Sequence, residues 1–229
     1  ETYGEDPFLA GRLGVAFVKG LQGDDPRYYK VIATAKHYAV HSGPEPDRHH
    51  FDARPSERDL WETYLPAFRD LVQEGKAASV MSAYNRVNGD SATASQRLLT
   101  DILRKEWGFE GYVVSDCGAV DDIFMRHKLV ATAEEASAIA VVRGCDLECG
   151  SSYRSLGKAL ERGLLKEVDL DVAVRRLMVA RMRLGMFDPP EQVKYAQIPY
   201  SLNDAPEHGR LARRVAQESI VLLKNDGVL

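Results

Sequence analysis

The 229-residue chain carries 30 Lys+Arg against 34 Asp+Glu, a formal net charge of -4, with 45% apolar and 28% charged residues. This composition excludes a disordered chain and gives no electrostatic reason to expect nucleic acid as a partner. No apolar run approaches the roughly 18–20 residues of a membrane helix, and three scattered cysteines do not make a disulfide scaffold.

In chain order, Phe8, Leu9, Leu13, Val15, Ala16 and Val18 predict a helix over Pro7–Leu21, broken at Gly23 and Asp24-Asp25-Pro26. Val31-Ile32-Ala33-Thr34-Ala35 reads as a buried strand running into Lys36-His37-Tyr38. A polar loop holds Pro44, Pro46 and the Asp47-Arg48-His49-His50 cluster. Ser56 then caps a helix that reaches about Glu74 despite Pro66. The pattern repeats: a strand over Ala77–Ala83, a loop with Asn88-Gly89, a helix over Ser95–Trp107 and a strand over Gly111–Ser115 ending at Asp116. Helices follow over Ala119–Arg126 and Thr132–Arg143, a short fourth strand over Cys145–Glu148, then helices over Tyr153–Arg162 and Asp169–Gly185. Asp188-Pro189-Pro190 halts the last of these, a stretch to about Glu207 reads as a linker, and a new helix spans Leu211–Leu223. Strands alternating with helices predict a parallel sheet, either a (β/α)8 barrel or a doubly wound sheet. No Gly-x-Gly-x-x-Gly follows a strand. Four strands fall short of a barrel's eight, and both ends read as those of a segment of a longer protein, so targeting signals are expected outside it.

In both architectures the chemistry gathers at the C-terminal ends of the strands. Asp116 is a lone carboxylate at such an end, suited to act as nucleophile or base, or else to cap the helix that starts after Gly118. Lys36 can form a Schiff base, Lys36 and His37 can donate to ligand hydroxyls, or both can be structural. His37, His41, His49 and His50 do not have metal-site spacing, and Cys145 and Cys149 are no zinc pair; small buried side chains suit them better. Tyr84, Arg48 and Arg86 read either as ligand contacts or as solvated loop residues.

At these same residues the chain resembles the family 3 glycoside hydrolases. The resemblance is carried by Glu1-Thr2-Tyr3-Gly4-Glu5-Asp6-Pro7, by Lys36-His37-Tyr38, by the run from Val80 to Gly89, by the run from Gly108 to Asp116, and by the run from Glu218 to Asn225. It implies a partial (β/α)8 barrel over residues 1–188, a linker over 189–210, and the first helix of an α/β sandwich domain over 211–229. It implies an exo-acting, retaining β-glycosidase of small oligosaccharides or aryl and alkyl β-glycosides, with no cofactor, metal, nucleic acid or membrane. Asp116 matches the catalytic nucleophile, Lys36 and His37 the pair holding sugar hydroxyls, Met81 and Tyr84 the sugar subsite, and Arg48 a sugar-binding Arg. Lys36 is expected to help keep Asp116 ionised, and Tyr84 to orient the carboxylate by a hydrogen bond. The acid/base is expected beyond Leu229 and a further sugar-site Arg before Glu1, which would leave the segment alone inactive; Glu45 and Glu148 are nearby carboxylates but not favoured. Cys117, where many β-glucosidases of the family have Trp, together with Gly144–Gly150, resembles the β-xylosidase and arabinosidase branch and favours xylose over glucose.

Overall fold

A computed structural model describes residues 3–227; the opening Glu1-Thr2 and the closing Val228-Leu229 lie outside the described residues. The chain divides into two units, residues 1–188 and 189–229.

The first unit opens with helix α1 (Pro7–Gln22), whose N-cap Asp6 accepts a hydrogen bond from the Phe8 amide. Its buried face is Gly11, Gly14, Val15 and Val18. The glycines let another helix come close: a Cβ on Gly14 would stand 2.7 Å from Leu71 Cδ1. Leu71 belongs to α3 (Pro66–Gln73), which follows α2 (Glu57–Asp59) and a π-type turn over Leu60–Tyr64. Ser56 caps α2, accepting from the Asp59 amide, and Pro66 stands at the first position of α3.

The sheet that positions the site has three parallel strands, β1 (Thr34–Tyr38), β3 (Ser79–Ser82) and β6 (Tyr112–Val114), in the order β1-β3-β6. Short strands β2 (Asp52–Ala53), β4 (Arg86–Val87) and β5 (Asp90–Ser91) form a separate ribbon, with Asn88-Gly89 as its turn. The sequence places the first strand three residues early. Its partner decides the register: β3 begins at Ser79, opposite Thr34, and Val31 is left exposed. The predicted fourth strand over Cys145–Glu148 is a single parallel bridge from Leu147 to Val114. Beyond that bridge the pairing is irregular, with the Cys149 amide donating to the Ser115 hydroxyl. Among the described residues the sheet is parallel and not closed.

The largest of three core clusters among the described residues packs against this sheet. Val80 and Val113 are fully buried, packed with Leu98, Leu99, Ile102 and Leu103 of a π-type helix over Gln96–Glu106, and with Val120 and Ile123 of α4 (Ala119–Met125). The Tyr38 hydroxyl, inside the core, donates to the Leu98 carbonyl. Helix α5 (Ala133–Val142) starts with a capping box between Thr132 and Glu135. Helices α6 (Leu156–Glu161) and α7 (Glu167–Arg183) complete the unit. Beneath β6, Asp146 binds three donors: Arg104 at 2.6 Å, Arg176 of α7 at 2.7 Å and the Val113 amide at 2.8 Å. This ties sheet, π-type helix and α7 together.

The second unit has three short 3-10 turns and helix α8 (Pro206–Ser219). The helix begins and ends earlier than the predicted Leu211–Leu223. Pro206 suits its first turn, and Ile220 at its end is already extended. No helix among the described residues is long and apolar enough to cross a membrane.

Candidate active site

Asp116 leaves the sheet two residues past β6, and its side chain is 13% exposed. Its Oδ1 accepts from the Cys117 amide at 2.8 Å, and its Oδ2 lies 3.3 Å from His37 Nε2. One oxygen is therefore held by its own loop, while the carboxylate also has the His37 imidazole and the Tyr84 hydroxyl near it. The alternative role as a helix cap is not taken: the N-cap position of α4 is Gly118, in the left-handed conformation that glycine adopts freely, and no side-chain cap bond is made.

His37 reaches Asp116 through an irregularity in β1. Ala35 pairs with Val80 and Tyr38 with Ser82, so Lys36 and His37 together stand opposite Met81. Such bulges re-aim side chains beside functional sites. Met81, partly buried, pairs with Val114 on the other side. Of the pair Lys36-His37, it is His37 that is placed against the carboxylate; Lys36 is exposed and lines a pocket of about 280 Å3 with residues of α1 and α3.

Tyr84, two residues past β3, is 8% exposed. Its hydroxyl donates to the Cys117 carbonyl at 2.8 Å, so it holds the loop that carries Asp116. Burial raises the Tyr84 pKa, the nearby Asp116 carboxylate raises it further, and the Arg48 guanidinium opposes both. The phenol is therefore kept protonated as a donor. Arg48 follows the 3-10 turn Glu45–Asp47 and lies 4.5 Å over the Tyr84 ring, bound to Glu45 at 2.8 Å. Asn85, fully buried, accepts from Ser42 and donates to the Ala39 carbonyl, tying the loop after β1 to the end of β3.

Cys117, the residue after the carboxylate, forms a disulfide with Cys149. Cys149 is therefore not a merely buried thiol. The cause is the backbone pairing that continues past β6. Ser115 donates to the Leu147 carbonyl and Gly118 to the Cys149 carbonyl, which brings the two Cα atoms to 4.3 Å. Cys145 is the free, buried one, its thiol pushed up to about 12 by burial.

Glu148 accepts from the Ser152 and Tyr153 amides, and Glu45 is exposed beside Arg48. Each is engaged locally. His41 accepts from the Gly43 amide and His50 lies beside Asp47. Among the described residues no group of three or more His, Cys, Asp or Glu is arranged to hold a metal. His49 and Asp122 were not singled out together by the sequence, yet His49 Nδ1 lies 2.8 Å from Asp122 Oδ2. They are 73 residues apart, and no spacing signal connects them.

The family model for the glycosyl hydrolase family 3 N-terminal domain matches residues 1–180. A xylan 1,4-β-xylosidase from Xylanibacter ruminicola is 49% identical over 98% of this chain and 27% of its own length. The β-D-xylosidase 1 of Arabidopsis thaliana is 40% identical over 98% of this chain and 30% of its own. The chain thus spans less than a third of the length of these relatives. A family 3 exo-β-xylosidase solved with a xylobiose aziridine activity-based probe superposes with a TM-score of 0.93 at 36% identity, over 99% of this chain and 30% of that one. A β-glucosidase from Listeria innocua in complex with glucose gives 0.86 at 34% identity, over 99% and 32%. On these matches the chain belongs to glycosyl hydrolase family 3, as the family's N-terminal domain.

Proposed function

We propose that this chain supplies the nucleophile side of an exo-acting, retaining β-glycosidase that removes terminal non-reducing β-D-xylosyl residues. The observation that carries the reading is the placement of Asp116. A partly shielded carboxylate leaves a parallel strand, is steadied at Oδ1 by its own loop, and has His37 and Tyr84 around it.

In the proposed reaction an Asp116 oxygen attacks the anomeric carbon. The bond to the leaving oxygen breaks as a separate carboxylic acid protonates it, and a glycosyl ester on Asp116 forms. Water, deprotonated by the same second group, then attacks the anomeric carbon and releases the sugar and the Asp116 carboxylate. The two carboxyl groups of such a pair stand about 5–5.5 Å apart. Glu45 and Glu148 have local partners, so the acid is assigned to the part of the protein that the relatives carry and this chain does not span. On this reading the 229-residue chain alone turns over little or no substrate.

Lys36, His37, Arg48, Met81 and Tyr84 are proposed to contact the sugar, with contacts that strengthen in the transition state contributing to rate. Cys117, tied to Cys149, borders the same site and puts no aromatic ring beside Asp116. The parallel sheet is proposed to be part of a (β/α)8 barrel over residues 1–188. A linker from residue 189 and the start of an α/β sandwich domain that includes α8 are proposed to follow.

Xylose is favoured because the relatives named above are xylosidases. The second reading is a β-glucosidase, favoured by the Listeria innocua structure with glucose. A Schiff-base lyase is not supported: Lys36 is exposed and lacks the desolvation that activates such an amine. Side-by-side hydrolysis of 4-nitrophenyl β-xyloside and β-glucoside by the full-length protein tests the assignment. A higher kcat/KM on the xyloside is expected; a higher value on the glucoside selects the second reading, and turnover of neither removes both.

A further inference from the structure

We propose that His49 and Asp122 form a positioning pair that fixes the Arg48–Tyr84 wall of the site, a role that rests on the glycosidase reading above. Asp122 lies in the first turn of α4, six residues past Asp116, with its side chain 4% exposed. A carboxylate so buried needs partners. One is Arg126, a turn further along the same helix, at 3.0 Å and half exposed. The other is His49, which comes from a different part of the chain and sits next to Arg48.

Burial pushes the Asp122 carboxyl up, and the His49 contact and the charge of Arg126 pull it back. Because the carboxylate accepts, the proton between them sits on His49 Nδ1, which sets the tautomer and the plane of the ring. That ring lies 4.4 Å from the Tyr84 ring at 57°. The Arg48 guanidinium lies 4.5 Å over the same tyrosine. Tyr84 in turn donates to Cys117, the residue after the nucleophile.

The contacts close a circuit. Helix α4 starts directly behind the nucleophile loop; its Asp122 holds His49; His49 backs Tyr84; Tyr84 returns to that loop. Arg48 gains from it most. Its ion pair among the described residues is to Glu45, whose side chain is 80% exposed, and such exposed pairs hold a side chain only weakly. Its direction therefore depends on the tyrosine face that His49 supports. His49 touches no reacting atom in this arrangement; it acts through Tyr84 and Arg48.

The test is steady-state kinetics of the full-length protein on 4-nitrophenyl β-xyloside. His49→Phe keeps a ring against Tyr84 but loses the donor to Asp122. His49→Asn loses the ring but keeps an amide donor near the Nδ1 position. His49→Phe is expected to lower kcat/KM by about ten- to a hundredfold, the scale of a small misplacement of binding groups. The loss should fall mainly on KM and persist well below the melting temperature, which itself falls because buried Asp122 loses a partner. His49→Asn should recover most of it. Asp122→Asn, measured in parallel, should show the same KM-weighted loss, and combining it with His49→Phe should add little. Wild-type kinetics in His49→Phe beside an inactive Asp116→Asn control would overturn this role alone. So would a His49→Asn loss as deep as that of His49→Phe, or losses that vanish well below each variant's melting temperature. An active Asp116→Asn control would overturn the nucleophile assignment and this role with it, whereas no turnover by the wild-type protein would overturn the glycosidase reading itself.

Discussion

Asp116 and Asp146 are both largely buried carboxylates beside β6, and their surroundings differ in kind. Asp146, with its side chain 1% exposed, is bound by Arg104, Arg176 and the Val113 amide. Burial disfavours charge on the cluster, and Arg104 is lowered to about 10, still cationic at neutral pH. Asp146 is committed to holding the fold by three donors, two of them charged. Asp116 has one backbone amide, one imidazole and the Tyr84 hydroxyl near it, and no guanidinium bound to it among the described residues. It keeps acceptor capacity for a ligand on a surface that solvent still reaches. A buried carboxylate is thus a poor indicator of function by itself; the number and rigidity of its partners separate an anchor from a reactive group.

Three results would break or sharpen that contrast. The largest effect is expected for Asp116→Asn in the full-length protein. Activity on the aryl β-xyloside should fall by several orders of magnitude while the melting temperature stays near the parent's, because asparagine keeps an oxygen for the Cys117 amide. Loss of fold with loss of activity would make Asp116 a second anchor. For Asp146→Asn the opposite is expected. Removing one partner of a buried cluster costs about 3–5 kcal/mol, read as a lower midpoint in urea; molecules that remain folded should keep most of their kcat. A smaller and purely pH-dependent effect is expected from His127. Burial, followed by the charge of Arg86, lowers its pKa from the ordinary 6.5 to about 4. Between those values the unfolded chain binds the proton and the folded one does not, so stability should fall as pH drops from about 6.5 to about 4. His127→Leu should flatten that slope. An unchanged slope would show that His127 is not kept neutral in the fold.

The contrast between the two aspartates was only half legible in the sequence. An apolar strand ending in Ser115-Asp116 marks a strand-end carboxylate by period and position alone. Asp146 also follows an apolar stretch, and the sequence reads it as the start of a strand. Its role depends on Arg104 and Arg176, 42 and 30 residues away. Spacing along the chain carries no record of such partners. The same limit explains Cys117 and Cys149: their pairing follows from backbone ladders that bring two loops together, not from a cysteine motif. Helices were the more legible elements, because caps such as Ser56 and Thr132 act within a few residues. The first strand was misplaced because strand ends are set by the partner strand, here Ser79, rather than by local β-branched content.

The central claim is that Asp116 forms the covalent bond to the sugar. The full-length protein, treated with a xylose-configured aziridine probe and digested, can be read by peptide mass spectrometry. The account predicts a single glycosyl-type adduct on the peptide containing Asp116, absent when Asp116→Asn is treated in the same way. An adduct on any other carboxylate, or an unchanged adduct in Asp116→Asn, would contradict it.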